Sequence, residues 1–414
     1  MITTKKSLCQ TSLVLIIFIL LNPTNIKQIL QKMLFRVILF IQGEYFMDFF
    51  HFDKDNNLVT ISNALLFHFG ITPFHKPHAQ LHEILSSKSY QKIIVFLFDG
   101  LGKSIRELHL GEKDFLRRNE KFTISSVFPP TTVAATTAFL SGKYPCQTSW
   151  LGWDQYFPQH DITIDMFTNA ESFTKEIIKG PHLAQTYCPY TSIIELINDT
   201  NKYKASVVQP SFIDPNGAKS FDDFFALSAQ KLNKEGNNFV YAYWTEPDGL
   251  IHKYGTKHPL VKRCCKEINK KVKEFVRSNE DVLTIILADH SLIDTTFEFV
   301  GKHQDFYKCI KHNFALDSRS CFFYVDDDLK EDFISSYNKY YQKDFILLTK
   351  QEIIDSHMFG YGEEHHLFRD FLGDFMLTSI SSKGFSYTLD YPMIGAHSGS
   401  LEEESLISVS IFNL

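Results

Sequence analysis

Ile93-Ile94-Val95-Phe96-Leu97-Phe98-Asp99-Gly100 is the stretch that decides the fold. Six apolar residues without a polar interruption suit a strand covered on both faces, the situation of a central strand in a parallel sheet. That strand delivers Asp99 at its carboxyl end, the edge at which open α/β sheets bind ligands. Val282-Leu283-Thr284-Ile285-Ile286-Leu287-Ala288 repeats the arrangement and ends in Asp289-His290. Phe239 to Trp244 does so again and leads through Thr245-Glu246-Pro247 to Asp248, with His252 following in Asp248-Gly249-Leu250-Ile251-His252. A single aspartate after an apolar run is as often a turn or a helix cap. Three strand ends with the same acid and imidazole chemistry form a pattern.

A hydroxyl joins them from Ser125-Ser126-Val127-Phe128-Pro129-Pro130-Thr131-Thr132. Two prolines stop a strand, the threonines stand where an N-cap or first turn belongs, and Ala134, Ala135, Thr136, Thr137 and Ala138 start a tightly packed helix. The free amides and dipole of a helix start favour an anion, either an alkoxide or a phosphate. Taken alone, the pair of threonines reads as a plain helix cap; the acid and imidazole motifs around it give it a chemical role.

In their order, these motifs resemble the nucleotide pyrophosphatase/phosphodiesterase (type I phosphodiesterase) branch of the alkaline phosphatase superfamily. The matching pieces are Phe98-Asp99-Gly100, Phe128 to Thr132 with Ser141-Gly142-Lys143-Tyr144-Pro145 after it, Glu246-Pro247-Asp248 with His252, Ala288-Asp289-His290, and Gly395-Ala396-His397. They run from about residue 90 to the end of the chain. The resemblance implies a central, mostly parallel sheet flanked by helices, with a small inserted cap. It makes Asp248, His252 and His397 ligands of one zinc ion and Asp99, Asp289 and His290 ligands of a second. Thr132 matches the family's catalytic threonine and also faces the second ion; Thr131 is its less favoured neighbour.

The chemistry agrees with the resemblance. Zinc takes nitrogen and oxygen ligands at roughly 2.0–2.2 Å. Two such ions about 4 Å apart can hold the attacking and leaving oxygens of an in-line displacement. A threonine hydroxyl is a weak nucleophile near neutral pH and needs a metal or a base. The spacing of Asp248 and His252 puts both on one face only if the stretch is helical. The chain departs from the family in two places. Trp150-Leu151-Gly152-Trp153-Asp154 lacks the asparagine that many members use to bind a phosphate oxygen, and Ser291 follows His290 where glycine is usual. Trp150, Trp153, Tyr156 and Phe157 can be read as an apolar wall for a leaving group, though core packing is the commoner role of such a cluster.

Other motifs carry less. Gly102-Lys103-Ser104 falls short of a P-loop because Leu97 occupies the position of its first glycine. Glu363-Glu364-His365-His366 lies between glycine-rich turns and reads as a solvated loop or helix face, and His75, His78 and His82 read as surface histidines. A net charge of −6 gives no electrostatic footprint for a nucleic-acid polymer. Seven cysteines, odd in number and without a Cys-x-x-Cys pair, argue against a disulfide framework or a thiolate zinc site.

At 414 residues the chain suits an elaborated α/β domain over 47–414, with a cap expected at about 298–370. Asp374 to Ile380 and Leu406 to Phe412 are expected to return to the main sheet. Residues 1–46 contain short apolar stretches at Leu13 to Leu21 and Leu34 to Ile41, with no small-residue cleavage site. Initiation at Met47, giving a cytoplasmic product, is the favoured reading; membrane contact is expected only if residues 1–46 are retained. The expected protein is a two-zinc hydrolase of phosphodiester or pyrophosphate bonds acting on a small, nucleotide-like phosphorylated substrate through a covalent threonine intermediate. A phosphonate hydrolase, monoesterase or mutase of the same superfamily is the alternative, and a non-catalytic metal-stabilised binding protein is the alternative from another class.

Overall fold

The computed structural model describes residues 53–413, so the expectations for residues 1–46 lie outside them. Six strands form the main sheet: β1 (Lys92–Phe98), β2 (Glu120–Ser125), β3 (Lys204–Val208), β4 (Asn238–Trp244), β5 (Leu283–Leu287) and β6 (Leu406–Phe412). Their spatial order is β2-β6-β5-β1-β4-β3. β1 pairs in parallel with β4 and β5, and β3 in parallel with β4. Only β6 reverses, running antiparallel between β5 and β2. Ile93 to Phe98 are completely buried, as an apolar run at the centre of a doubly covered sheet requires.

Helices cover both faces. On one, α2 (Phe221–Leu232) and α4 (Pro259–Ser278) pack Phe225 and Phe275 against Phe96 at ring-centroid distances of 5.1 and 4.9 Å. α4 buries Val261, Cys265, Ile268, Val272, Phe275 and Val276, the three- and four-residue spacing of one helical stripe. On the other face, α1 (Thr132–Ser141) stacks Phe139 on Tyr241 of β4 at 5.3 Å. Parallel strands point their carboxyl ends the same way, so the ends of β1, β4 and β5 meet at one edge, with α1 and the short α3 (Asp248–Tyr254) beside them.

A second sheet of seven strands runs in the order Phe345–Thr349, Phe375–Ser379, Ser320–Phe323, Ala315–Leu316, Asp154–Phe157, Ile162–Asp165 and Ala170–Glu171. It therefore draws on residues outside the interval expected for the cap. The expectation that the stretch around Asp374 to Ile380 rejoins the main sheet is corrected: Phe375–Ser379 pairs antiparallel with Ser320–Phe323 and Phe345–Thr349. Its Phe375 and Leu377 enter a core of Phe306, Phe323, Phe333, Phe345 and Phe385, and this aromatic cluster is what holds the strand there. No helix among the described residues is long and apolar enough to cross a membrane.

Candidate active site

The strand ends are tied together by their own backbone. Asp99 N–H donates to the Trp244 carbonyl at 2.9 Å and Asp248 N–H to the Asp99 carbonyl at 3.1 Å, so Asp99 and Asp248 stand side by side just beyond β1 and β4. Gly100 turns the chain at φ +69° and donates to Asp289 Oδ1 at 3.2 Å. A Cβ at this glycine would lie 2.6 Å from Leu292 Cδ1 and 3.0 Å from Asp248 Cβ, so both conformation and space exclude a side chain. Asp248 opens α3, and one helical turn brings His252 Nε2 to 3.2 Å from Asp248 Oδ2. His252 Nδ1 donates to the Gly395 carbonyl at 2.8 Å, which turns Nε2 toward Asp248. The same Gly395-Ala396 bridge strand delivers His397, whose Nε2 lies 3.9 Å from Asp248 Oδ1.

Thr132 is the first residue of α1, and its Oγ1 lies 3.1 Å from His290 Nε2 and 3.4 and 3.5 Å from the two oxygens of Asp99. Thr131 points elsewhere, donating to Asp317 Oδ2 at 2.7 Å. His290 Nε2 also lies 3.4 Å from Asp99 Oδ1 and 3.6 Å from Asp289 Oδ2, and its ring sits 3.9 Å from that of His397. Side chains from distant motifs thus meet in one place. Among the described residues, two groups have ligand atoms within 4.8 Å of one another: Asp99, Asp289 and His290, and Asp248, His290 and His397. The first is the trio expected from the sequence. In the second, His290 stands between the groups, while His252 flanks Asp248 from outside.

The electrostatics call for a cation. Burial pushes the Asp99 carboxyl well above its ordinary range, with Asp289 and Asp248 adding to the rise. Burial opposes ionisation of Asp248 too, but the neighbouring His252 carries it below its usual value, and burial's pull on His252 is overcome by Asp248, raising the imidazole to about 9. Among the described residues no lysine or arginine forms an ion pair with Asp99, Asp248 or Asp289. Asp289 Oδ2 and Asp248 Oδ1 are buried with no hydrogen-bond donor. Buried carboxylate oxygens without donors, gathered with imidazole nitrogens, are a donor set that a divalent ion completes.

A family model described as type I phosphodiesterase / nucleotide pyrophosphatase matches residues 93–344, well over half of the chain. The chain belongs to that family. It is accordingly a hydrolase of the alkaline phosphatase superfamily. No curated protein matches it. Among solved structures it is similar to murine ectonucleotide pyrophosphatase/phosphodiesterase 5, with a TM-score of 0.60 at 14% identity over 78% of this chain and 88% of that one. An inactive threonine-to-alanine variant of that murine protein, in complex with AMP, gives 0.59 at 15% identity over 78% and 88%. Phosphonoacetate hydrolase from Sinorhizobium meliloti in complex with phosphonoformate gives 0.57 at 14% over 77% and 89%. These likenesses are of fold.

Two residues at this phosphodiesterase-family site escaped the sequence reading. The Tyr243 hydroxyl donates to Asp99 Oδ2, and Asp317 reaches Thr131 from the second sheet. Tyr243 lies on β4 two positions from Tyr241, and only the strand's alternation hints at it. The four-residue aromatic wall does not assemble. Trp150 and Trp153 converge on Phe167 at 6.1 and 6.0 Å. Tyr156 packs on His312 and Tyr324, and Phe157 on Phe371, because alternate residues of the strand Asp154–Phe157 face opposite sides.

Proposed function

We propose that the chain hydrolyses phosphodiester or pyrophosphate bonds of nucleotide-type substrates, with Thr132 as nucleophile. The observation that carries this reading is the Thr132 hydroxyl, held at the start of a helix within 3.1–3.5 Å of His290 and Asp99. Asp99, Asp289, His290 and Thr132 would hold one divalent ion, and Asp248, His252 and His397 the other, with zinc best suited to this oxygen and imidazole set. When bound, such ions lower the pKa of a hydroxyl and neutralise charge on phosphoryl oxygens.

The chain's own residues supply the rest. Thr132 Oγ1 forms a bond to phosphorus as the bond to the leaving oxygen breaks, giving a phosphorylated threonine that water then cleaves. The free amides at the start of α1 would meet the oxygens that gain charge during this displacement. The backbone bonds among Asp99, Trp244 and Asp248 fix the carboxylates in advance, so little reorganisation accompanies the reaction.

The sequence around the nucleophile favours a diester. A monoester dianion asks for added cations, and only Lys143 stands near in sequence, with its ammonium over the Phe74 ring at 4.7 Å. The test compares kcat/KM for a nitrophenyl nucleotide diester with that for nitrophenyl phosphate at equal zinc loading, with a chelator-treated control and Thr132→Ala. Preference for the diester, loss of turnover on chelation, and an inactive Thr132→Ala that still binds metal are expected. Preference for the monoester removes the diesterase reading; phosphate release from phosphonoacetate but not from the diester transfers the assignment to a phosphonate hydrolase.

A further inference from the structure

α1 begins in an unusual way. Thr131 occupies its N-cap position with extended backbone (φ −139°, ψ 148°), yet its side chain makes no capping hydrogen bond. Threonine is a preferred N-cap because its oxygen accepts from the second or third helical amide. Here the completely buried hydroxyl is turned away and donates to Asp317 Oδ2 at 2.7 Å. The first helical bond of α1 comes from Ala135 N–H to the Thr131 carbonyl at 2.9 Å, and the preceding amides of Thr132, Val133 and Ala134 find no acceptor among the described residues. Thr132, the first residue of this turn, reaches the cluster with its hydroxyl 3.1 Å from His290 Nε2, and in that cluster Asp289 Oδ2, itself fully buried, lacks a donor.

Asp317 is held rigidly enough to act on Thr131. It sits in the turn between the strands Ala315–Leu316 and Ser320–Phe323, donating its N–H to the Ser320 carbonyl at 2.9 Å and accepting from Ser318 N–H at 2.6 Å through Oδ1. Arg319 in the same turn is fully buried and grips Glu404 with two bonds of 2.7 and 2.8 Å. It also donates to the Lys383 and Ser381 carbonyls at 2.7 and 2.8 Å. The turn is thereby pinned to the segment that follows His397.

We propose that Asp317 is a positioning residue that keeps the nucleophile helix uncapped: by holding the Thr131 hydroxyl, it leaves the first amides of α1 free to bind the phosphoryl oxygens of the substrate. This deepens the function proposed above and rests on it for the identity of the anion. A carboxylate beside an anion site repels the anion, so a purely electrostatic Asp317 predicts tighter phosphate binding whenever its charge is removed. The uncapping role predicts the opposite for a variant that also releases Thr131, because the freed hydroxyl then swings onto the amides and competes with phosphate.

The probe is inorganic phosphate, titrated calorimetrically into the zinc-loaded full chain, alongside its inhibition of diester turnover. Asp317→Ala should bind phosphate about five- to tenfold more weakly, the size of one helix-capping hydrogen bond. Asp317→Asn keeps an acceptor for Thr131 and should bind phosphate at least as tightly as the wild type. Thr131→Val cannot cap and should bind normally, and Asp317→Ala/Thr131→Val should recover wild-type affinity. Where Asp317→Ala fails to fold, Asp317→Ser, too short to reach Thr131, takes its place. Tighter phosphate binding in Asp317→Ala, or equal losses in Asp317→Ala and Thr131→Val, overturns the proposal. A wild type that binds phosphate without cleaving diesters removes the diesterase reading while leaving this test in force.

Discussion

Replacing Tyr243 by phenylalanine deletes one oxygen and preserves the ring, which makes it the cleanest probe of how the Asp99 carboxylate is aimed. The hydroxyl donates to Asp99 Oδ2, leaving Oδ1 directed toward His290 at 3.4 Å. Burial, with Asp99 and Asp289 behind it, raises the phenol's ionisation far above its ordinary range, so it keeps its proton and stays a donor at any ordinary assay pH. A hydrogen bond to a charged group contributes about 1.5–3 kcal/mol net. Lost from a metal ligand, that corresponds to an affinity decrease of about 10- to 100-fold, the usual effect of removing a group that orients such a ligand. Zinc dissociation constants measured in competition with a chromophoric chelator should show one ion weakened by this amount and the other nearly unchanged. Melting temperature checks that the fold survives. If both constants stay within about twofold of wild type, Tyr243 only fills space, and Asp99 is oriented by its backbone alone.

The sequence made the main sheet readable because strands buried on both faces have no polar interruption, and β1, β4 and β5 lie within a residue or so of the apolar runs that announced them. The same feature misled at Phe375–Ser379: an apolar run says that a segment is buried but not against which sheet, and an aromatic cluster assembled from distant segments decided that. His78 reads as a surface residue at its helical spacing, yet it is buried, capping the helix Ala79–Ser87, bonded to Asn56 at 2.8 Å and stacked on Phe122. The acid and imidazole residues could be found because each follows a strand or opens a helix. How they group was harder to see, since His290 faces both sides of the cluster only once β5 lies beside β1. Asp317 left no mark in the sequence: it meets Thr131 across 186 positions, through a turn whose place depends on the Arg319–Glu404 pair.

Gly100→Ala should cost about 2–5 kcal/mol of stability, combining a left-handed backbone with a methyl group 2.6 Å from Leu292 Cδ1. Denaturant unfolding measures it, and a loss under about 1 kcal/mol would mean that the turn between β1 and the site relaxes freely. The Arg319–Glu404 pair supports a sharper expectation because neither side chain reaches solvent. Arg319→Met strands the Glu404 carboxylate, which also accepts from Gly399 N–H at 2.9 Å, and the cost of breaking such a pair is about 3–5 kcal/mol. Removing both charges in Arg319→Met/Glu404→Leu should restore most of that stability, since the penalty comes from the unpaired charge. Catalysis separates the two effects: the double variant regains its melting temperature, but without the guanidinium bonds to Ser381 and Lys383 the turn that carries Asp317 is loosened, so KM should stay raised while kcat recovers. Full recovery of KM together with stability would show that the turn is held by its own strand pairing, and that the buried pair contributes to folding without positioning the site.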